Sequence, residues 1–248
     1  MESQFKVPTE TVELPSKGLL YPKDSPLSKG KIEMKYMTAK EEDILTNQNY
    51  IKNGTVIDRL LKSLIITEGV DYNQLLVGDK NAIMFAARIL SYGKDYVFSY
   101  GGQQTVDLST LDLKYLDEKV VKEGKNEFAF DLPTTGNTLT FKLLNHSDEK
   151  SIERELDGLK KLNKNASPEV TTRLKRIITS INGQTEQKDI RSFVDNYLLA
   201  KDARALRKEY TKINPDINMK FILSDDDGGE EEVDLPIGLN FFWPDTTV

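Results

Sequence analysis

The stretch Asp95-Tyr96-Val97-Phe98-Ser99-Tyr100-Gly101-Gly102-Gln103-Gln104-Thr105-Val106-Asp107-Leu108 decides the fold class. It is rich in β-branched and aromatic residues. Two adjacent glycines interrupt them, and two glycines in a row supply the positive φ that a tight hairpin turn requires. The reading is therefore a β-hairpin, Asp95–Tyr100 against Gln104–Leu108. Upstream, the pattern changes period. Thr55 opens a run that places Val56, Ile57, Leu60, Leu61, Leu64 and Ile65 on one helical face. A strand pair lying beyond helices, rather than alternating with them one by one, predicts an α+β fold.

Working outward, residues 38–92 read as helical. Thr38 with Glu41 has the spacing of a capping box. Gly54 and Gly69 act as breaks, and Asp79 caps a helix from Asn81 to Tyr92 that Gly93 stops. A second hairpin is expected from Glu127–Leu132 and Thr138–Leu144 around Gly136-Asn137. Helices resume at 147–214. Ser147 or Asp148 caps the first of them. Ser167-Pro168-Glu169 starts the next, because proline lacks the N–H that would stay unpaired there, and that helix runs to Gly183. Asp189–Leu199 and Ala203–Ile213 follow, and Pro215 ends the run. Asn218–Leu223 and Glu231–Leu235 are extended and flank an acidic turn. The expected organisation is an extended N-terminal arm at 1–37, a helical and hairpin domain at 38–163, a helical region at 164–216, and a hairpin with an aromatic tail at 217–248. A linker lies at 163–167.

Composition narrows the function classes. The 248 residues include no cysteine, which removes disulfides, thiolate catalysis and cysteine–zinc sites. Acidic residues outnumber basic ones, 40 to 34, for a formal charge of −6, which disfavours general nucleic-acid binding. No apolar run approaches the ~20 residues of a membrane span. The first residues, Met1-Glu2-Ser3-Gln4-Phe5-Lys6, lack the basic and apolar regions of a secretory signal. The expectation is a soluble intracellular protein that binds neither membrane nor nucleic acid.

Candidate chemistry is sparse. His146 is the sole histidine and reads as a polar turn residue where a strand meets a helix. With Gly228 at the sixth position of a calcium loop, the first position would be Leu223, which offers no ligand, so Asp225-Asp226-Asp227-Gly228-Gly229 reads as a solvated turn. No glycine-rich phosphate loop occurs. Glu41, Glu42 and Asp43 suit the first turn of a helix and do not form a catalytic pair. Neither a cofactor nor a metal is expected.

Two features point to binding. Arg173, Lys175, Arg176, Lys201, Arg204, Arg207, Lys208 and Lys212 concentrate late in the chain, and Arg204, Arg207 and Lys208 share a helix face. They read as a solvated face or as a contact for an acidic partner. Phe241-Phe242-Trp243-Pro244 places four bulky apolar residues close together. Such groups either fold back onto the core or anchor a partner.

Several pieces, taken in order, resemble the baseplate hub assembly proteins, also described as chaperones, of T-even-like myophages. They are Leu14-Pro15-Ser16-Lys17-Gly18-Leu19-Leu20-Tyr21-Pro22, Met37-Thr38-Ala39-Lys40-Glu41-Glu42-Asp43-Ile44-Leu45, Gly78-Asp79, Arg88, Tyr92-Gly93-Lys94-Asp95-Tyr96, Phe141-Lys142-Leu143-Leu144, Asp148-Glu149 and Phe241-Phe242-Trp243-Pro244. Each is weak alone, and together they span nearly the whole chain. The resemblance implies a non-enzymatic protein of contractile-tail assembly in the host cytoplasm. Its implied partners are other tail or baseplate hub proteins, including the tape-measure protein. It is either a transient chaperone or a hub subunit retained in the virion baseplate. It also implies relatives with zinc-binding cysteine pairs near 96–106 and 219–233, where this cysteine-free chain must rely on hairpin packing. The alternatives are a cell-wall hydrolase or a nucleic-acid-binding module. Candidate partner-binding residues are Phe241, Phe242, Trp243, Leu14, Tyr21, Arg204, Arg207 and Lys208.

Overall fold

The computed structural model describes residues 6–122, 124–162, 168–224 and 230–242. In chain order its elements are β1 (Thr9–Glu13), β2 (Lys31–Lys35), α1 (Ala39–Thr46), α2 (Gln48–Lys52), α3 (Val56–Leu64), α4 (Val77–Tyr92), β3 (Asp95–Ser99) and β4 (Gln103–Asp107). There follow β5 (Leu113–Lys114), β6 (Phe128–Asp131), β7 (Thr138–Phe141), α5 (His146–Leu162), α6 (Glu169–Ile177), β8 (Ile178–Ile181), α7 (Gln187–Asn196) and α8 (Ala200–Ile213), then β9 (Asp216–Ile217), β10 (Lys220–Ser224) and β11 (Glu230–Asp234). The fold is α+β, with every strand pairing antiparallel.

The hairpin that decides the class is present, with Tyr96 opposite Val106 and Ser99 opposite Gln103. Its loop is Tyr100-Gly101-Gly102, one residue longer than the glycine pair alone. The Tyr100 N–H donates to the Gly102 carbonyl at 2.8 Å. β10 and β11 form the C-terminal hairpin, and Phe221 from it meets Phe98 edge-on at 5.0 Å and Tyr100 at 6.0 Å. Aromatic packing therefore joins the two hairpins.

Four local readings change. The helix begun at Glu169 ends at Ile177, not Gly183, and Ile178–Ile181 becomes β8, third strand of the sheet β6-β7-β8. The run Ile177-Ile178-Thr179-Ser180-Ile181 is rich in β-branched residues, and the exposed ladder edge of β7 takes it up. α3 ends at Leu64 rather than Gly69, because Ile66 turns aside to donate to the Glu33 carbonyl at 3.0 Å. α5 is capped by Asn145, upstream of Ser147. The Asn145 side chain accepts from the Asp148 N–H at 2.9 Å, and the Asp148 carboxylate accepts from the Asn145 N–H at 3.3 Å. α4 begins at Val77, so Asp79 lies inside its first turn rather than capping it. At Thr38, Glu41 Oε2 accepts the backbone N–H at 3.0 Å as the capping-box reading requires.

Leu14, Leu27, Ile32 and Met34 share one hydrophobic cluster with Leu60, Leu64, Phe85, Phe141, Leu206 and Phe242. The N-terminal arm is thus built into the common core. α4 runs through that cluster, and Gly78 on it meets the segment leading into β9. A Cβ on Gly78 would lie 1.8 Å from the Pro215 carbonyl oxygen, so only glycine permits this approach. Asn81 then donates to Asp216 at 3.0 Å. Asp202, buried in the first turn of α8, accepts from the N–H groups of Thr134 and Thr135 at 2.8 and 3.1 Å. Burial pushes its carboxyl pKa up, but these bonds outweigh it and hold the group below its usual range. Asp202 thereby fixes α8 against the β6–β7 turn.

Candidate functional site

Several residues singled out in the sequence meet in space around α4. The loop after β1 folds over α4. There the Asp79 carboxylate accepts from the Ser16 N–H at 2.9 Å, the Ser16 hydroxyl at 2.6 Å and the Tyr21 hydroxyl at 2.6 Å. Tyr21 Oη in turn accepts from the Leu76 N–H at 2.9 Å. Burial raises the Asp79 pKa against the pull of these hydrogen bonds, and burial beside that carboxylate pushes the Tyr21 phenol well above its ordinary value. At the other end of α4, the Arg88 side chain is 1% exposed and donates to the carbonyls of Gly93 at 2.7 Å and Asp95 at 3.0 Å. It caps the helix C-terminus with a cation, as the helix dipole favours.

The aromatic end completes this framework. Phe241 and Phe242 are 0% exposed. The Phe241 ring lies 5.0 Å from Phe85 and 5.0 Å from Tyr96, whose hydroxyl donates to the Pro236 carbonyl at 2.6 Å. Leu14, Tyr21, Phe241 and Phe242 are therefore buried in the core. Their apolar area is already removed from water by the chain itself. Trp243, Pro244 and the acidic turn at 225–229 lie outside the described residues, as does the linker at 163–167.

His146 is a buried residue at the start of α5 rather than a polar turn residue. Its ring packs edge-on against Tyr72 at 4.7 Å, with Nε2 3.4 Å from Asp58 and Nδ1 3.5 Å from the Lys80 ammonium. Burial lowers its pKa, and Lys80, Lys150 and Lys62 lower it further against the opposing charge of Asp58. The neutral ring with its proton on Nε2 satisfies both neighbours.

The surface candidates behave differently. α8 turns Lys201, Arg204, Arg207, Lys208 and Lys212 outward while burying Asp202, Ala203, Leu206 and Ile213. Among the described residues, Lys212 has Glu209 at 3.6 Å, but Arg204, Arg207 and Lys208 have no carboxylate partner. Arg207 borders an open groove of about 290 Å³ between α6 and α8. Leu144, Leu174, Ile177 and Tyr210 give it an apolar floor. Val170, 47% exposed, stands on its lip. Arg173, also at the rim, is already engaged with Glu149 at 2.7 Å and Glu169 at 3.3 Å. Tyr197 and Leu199, just before α8, are exposed as well. Sequence reasoning found the basic residues but not the groove, because its walls come from distant segments.

Among the described residues, no group of three or more His, Cys, Asp or Glu is placed to hold a metal ion, and no helix is long and apolar enough to cross a membrane. Compared with known proteins, the chain matches no family model, no curated protein and no solved structure.

Proposed function

We propose that this chain is a non-enzymatic assembly protein of a phage tail baseplate hub, acting by protein–protein binding on tape-measure or hub proteins in the host cytoplasm. The observation that carries the reading is the contact between the ordered pieces that resemble the family. Ser16 and Tyr21 close on Asp79, Arg88 closes on Gly93 and Asp95, and Tyr96 packs on Phe241. These contacts tie the N-terminal loop, α4 and the aromatic end into one framework, which supports reading those pieces together. The open α6–α8 groove, bordered by Arg207, which has no carboxylate partner among the described residues, supplies a surface of the kind a partner uses.

Co-expression of the tagged chain with the tape-measure and hub proteins of its phage, followed by size exclusion and mass spectrometry, tests the reading. A stoichiometric complex is expected. A monomer inert toward every tail component would overturn it. Mass spectrometry of purified particles then separates a transient chaperone from a retained hub subunit. Turnover of peptidoglycan by the purified chain would favour the hydrolase alternative.

A further inference from the structure

We infer that the groove between α6 and α8 is a docking site for an acidic amphipathic helix of a partner protein. This inference rests on the reading of the chain as a protein-binding assembly factor and names the chemistry of what it binds.

The argument starts from charge. The chain carries a net charge of −6, yet the outward face of α8 presents basic residues at 201, 204, 207, 208 and 212. Some cations elsewhere are answered at close range, as Lys35 is by Glu41, Lys142 by Asp148 and Lys175 by Asp195, each at 2.7 Å. Arg204, Arg207 and Lys208 receive no such answer among the described residues. Like charges at three- and four-residue spacing repel, so the face destabilises its own helix slightly unless an external anion neutralises it.

The second part is shape. The groove runs between two helices, with Leu174 and Ile177 from one and Tyr210 from the other in its floor. A helix laid in such a groove inserts an apolar stripe and sets its flanks against the rim. The rim on the α8 side is Arg207 and Thr211, with Arg204 one turn before. Glutamates or aspartates flanking the apolar stripe fit that rim, and arginine can grip a carboxylate with two parallel hydrogen bonds. The apolar floor and exposed Val170 favour a protein segment over a nucleic acid, whose phosphates would also meet the overall negative field of the chain.

The test uses fluorescence anisotropy on the full chain with a labelled helical peptide bearing a leucine stripe flanked by glutamates. Arg204→Glu/Arg207→Glu/Lys208→Glu and, separately, Val170→Asp are compared with the unaltered chain, each checked for an unchanged thermal melt. The charge-reversed variant is expected to bind at least about tenfold more weakly, with Val170→Asp also weakened and added salt reducing binding by the unaltered chain. Equal binding by the charge-reversed variant overturns the inference. So does failure of the unaltered chain to bind the peptide, or displacement of the peptide by a single-stranded oligonucleotide. Repeating the tail-protein co-expression separates the two levels. A complex that forms with the unaltered chain and survives charge reversal sinks the docking site and leaves the assembly role. A chain that binds the peptide but no tail protein sinks the assembly role.

Discussion

The two ends of the candidate surface have opposite fates. The aromatic residues Phe241 and Phe242 look like an anchor for a partner, yet the chain buries both completely. The charged face of α8 looks like an ordinary solvated helix side, yet Arg204, Arg207 and Lys208 on it have no carboxylate partner among the described residues, and Arg207 borders an open apolar groove. The difference teaches that apolar density signals burial first, since any large side chain gains by leaving water wherever the core will take it. A surface built for a partner shows itself instead by what the fold leaves unanswered.

The contrast breaks first at Phe241. Phe241→Ala removes a ring packed on Phe85, Tyr96 and Phe242. It is expected to cost about 3–5 kcal/mol in urea unfolding. A loss of partner capture with unchanged stability would return the aromatic end to the surface. Next, Asp79→Ala strands the Ser16 N–H, the Ser16 hydroxyl and the Tyr21 hydroxyl in the core. A cost of about 3 kcal/mol is expected, read as a lowered denaturation midpoint.

The third test is acid. The folded-state pKa of His146 lies below its unfolded value of about 6.5, so the folded chain binds fewer protons there. Its contribution is fully present above that unfolded value. It is lost as pH falls through the folded pKa, at about 1.4 kcal/mol per pH unit across the window between the two. The groups facing the ring are Asp58, Lys62, Lys80, Lys150 and Tyr72, and none of them reverses this sign. His146→Gln is expected to flatten the pH dependence of the melting temperature between neutral and mildly acidic solution. An unchanged slope would remove His146 from the core. The smallest effect belongs to α8. Arg204→Glu/Arg207→Glu/Lys208→Glu is expected to shift stability by no more than about 0.5 kcal/mol, as exposed substitutions do. A large loss would mean that these side chains serve the fold.

Much of the architecture was legible because its signals are local. Both flanking hairpins, the α3 stripe, the capping at Thr38 and the stop before Pro215 follow from nearest-neighbour chemistry. What escaped depends on distant partners. Asp79 has the look of a helix cap, and only the approach of the Ser16–Tyr21 loop turns its carboxylate inward. β8 hides behind a helix because it is four residues long with no alternation to mark it, and it needs the edge of β7 to declare it. His146 resembled a turn residue because the Tyr72 ring and Asp58 that enclose it lie far upstream. The cations of the candidate site were readable one by one, whereas their lack of carboxylate partners and the groove beside them exist only in three dimensions.

The most direct test is hydrogen exchange on the complex with a tail protein, compared with the free chain. Slowed exchange is expected across residues 169–177 and 200–213, with no change at Phe85, Tyr96, Phe241 and Phe242, which are protected in both states. Slowed exchange confined to the residues around Leu14, Tyr21 and Phe241, with α6 and α8 unchanged, would contradict the assignment of core and surface made from the fold.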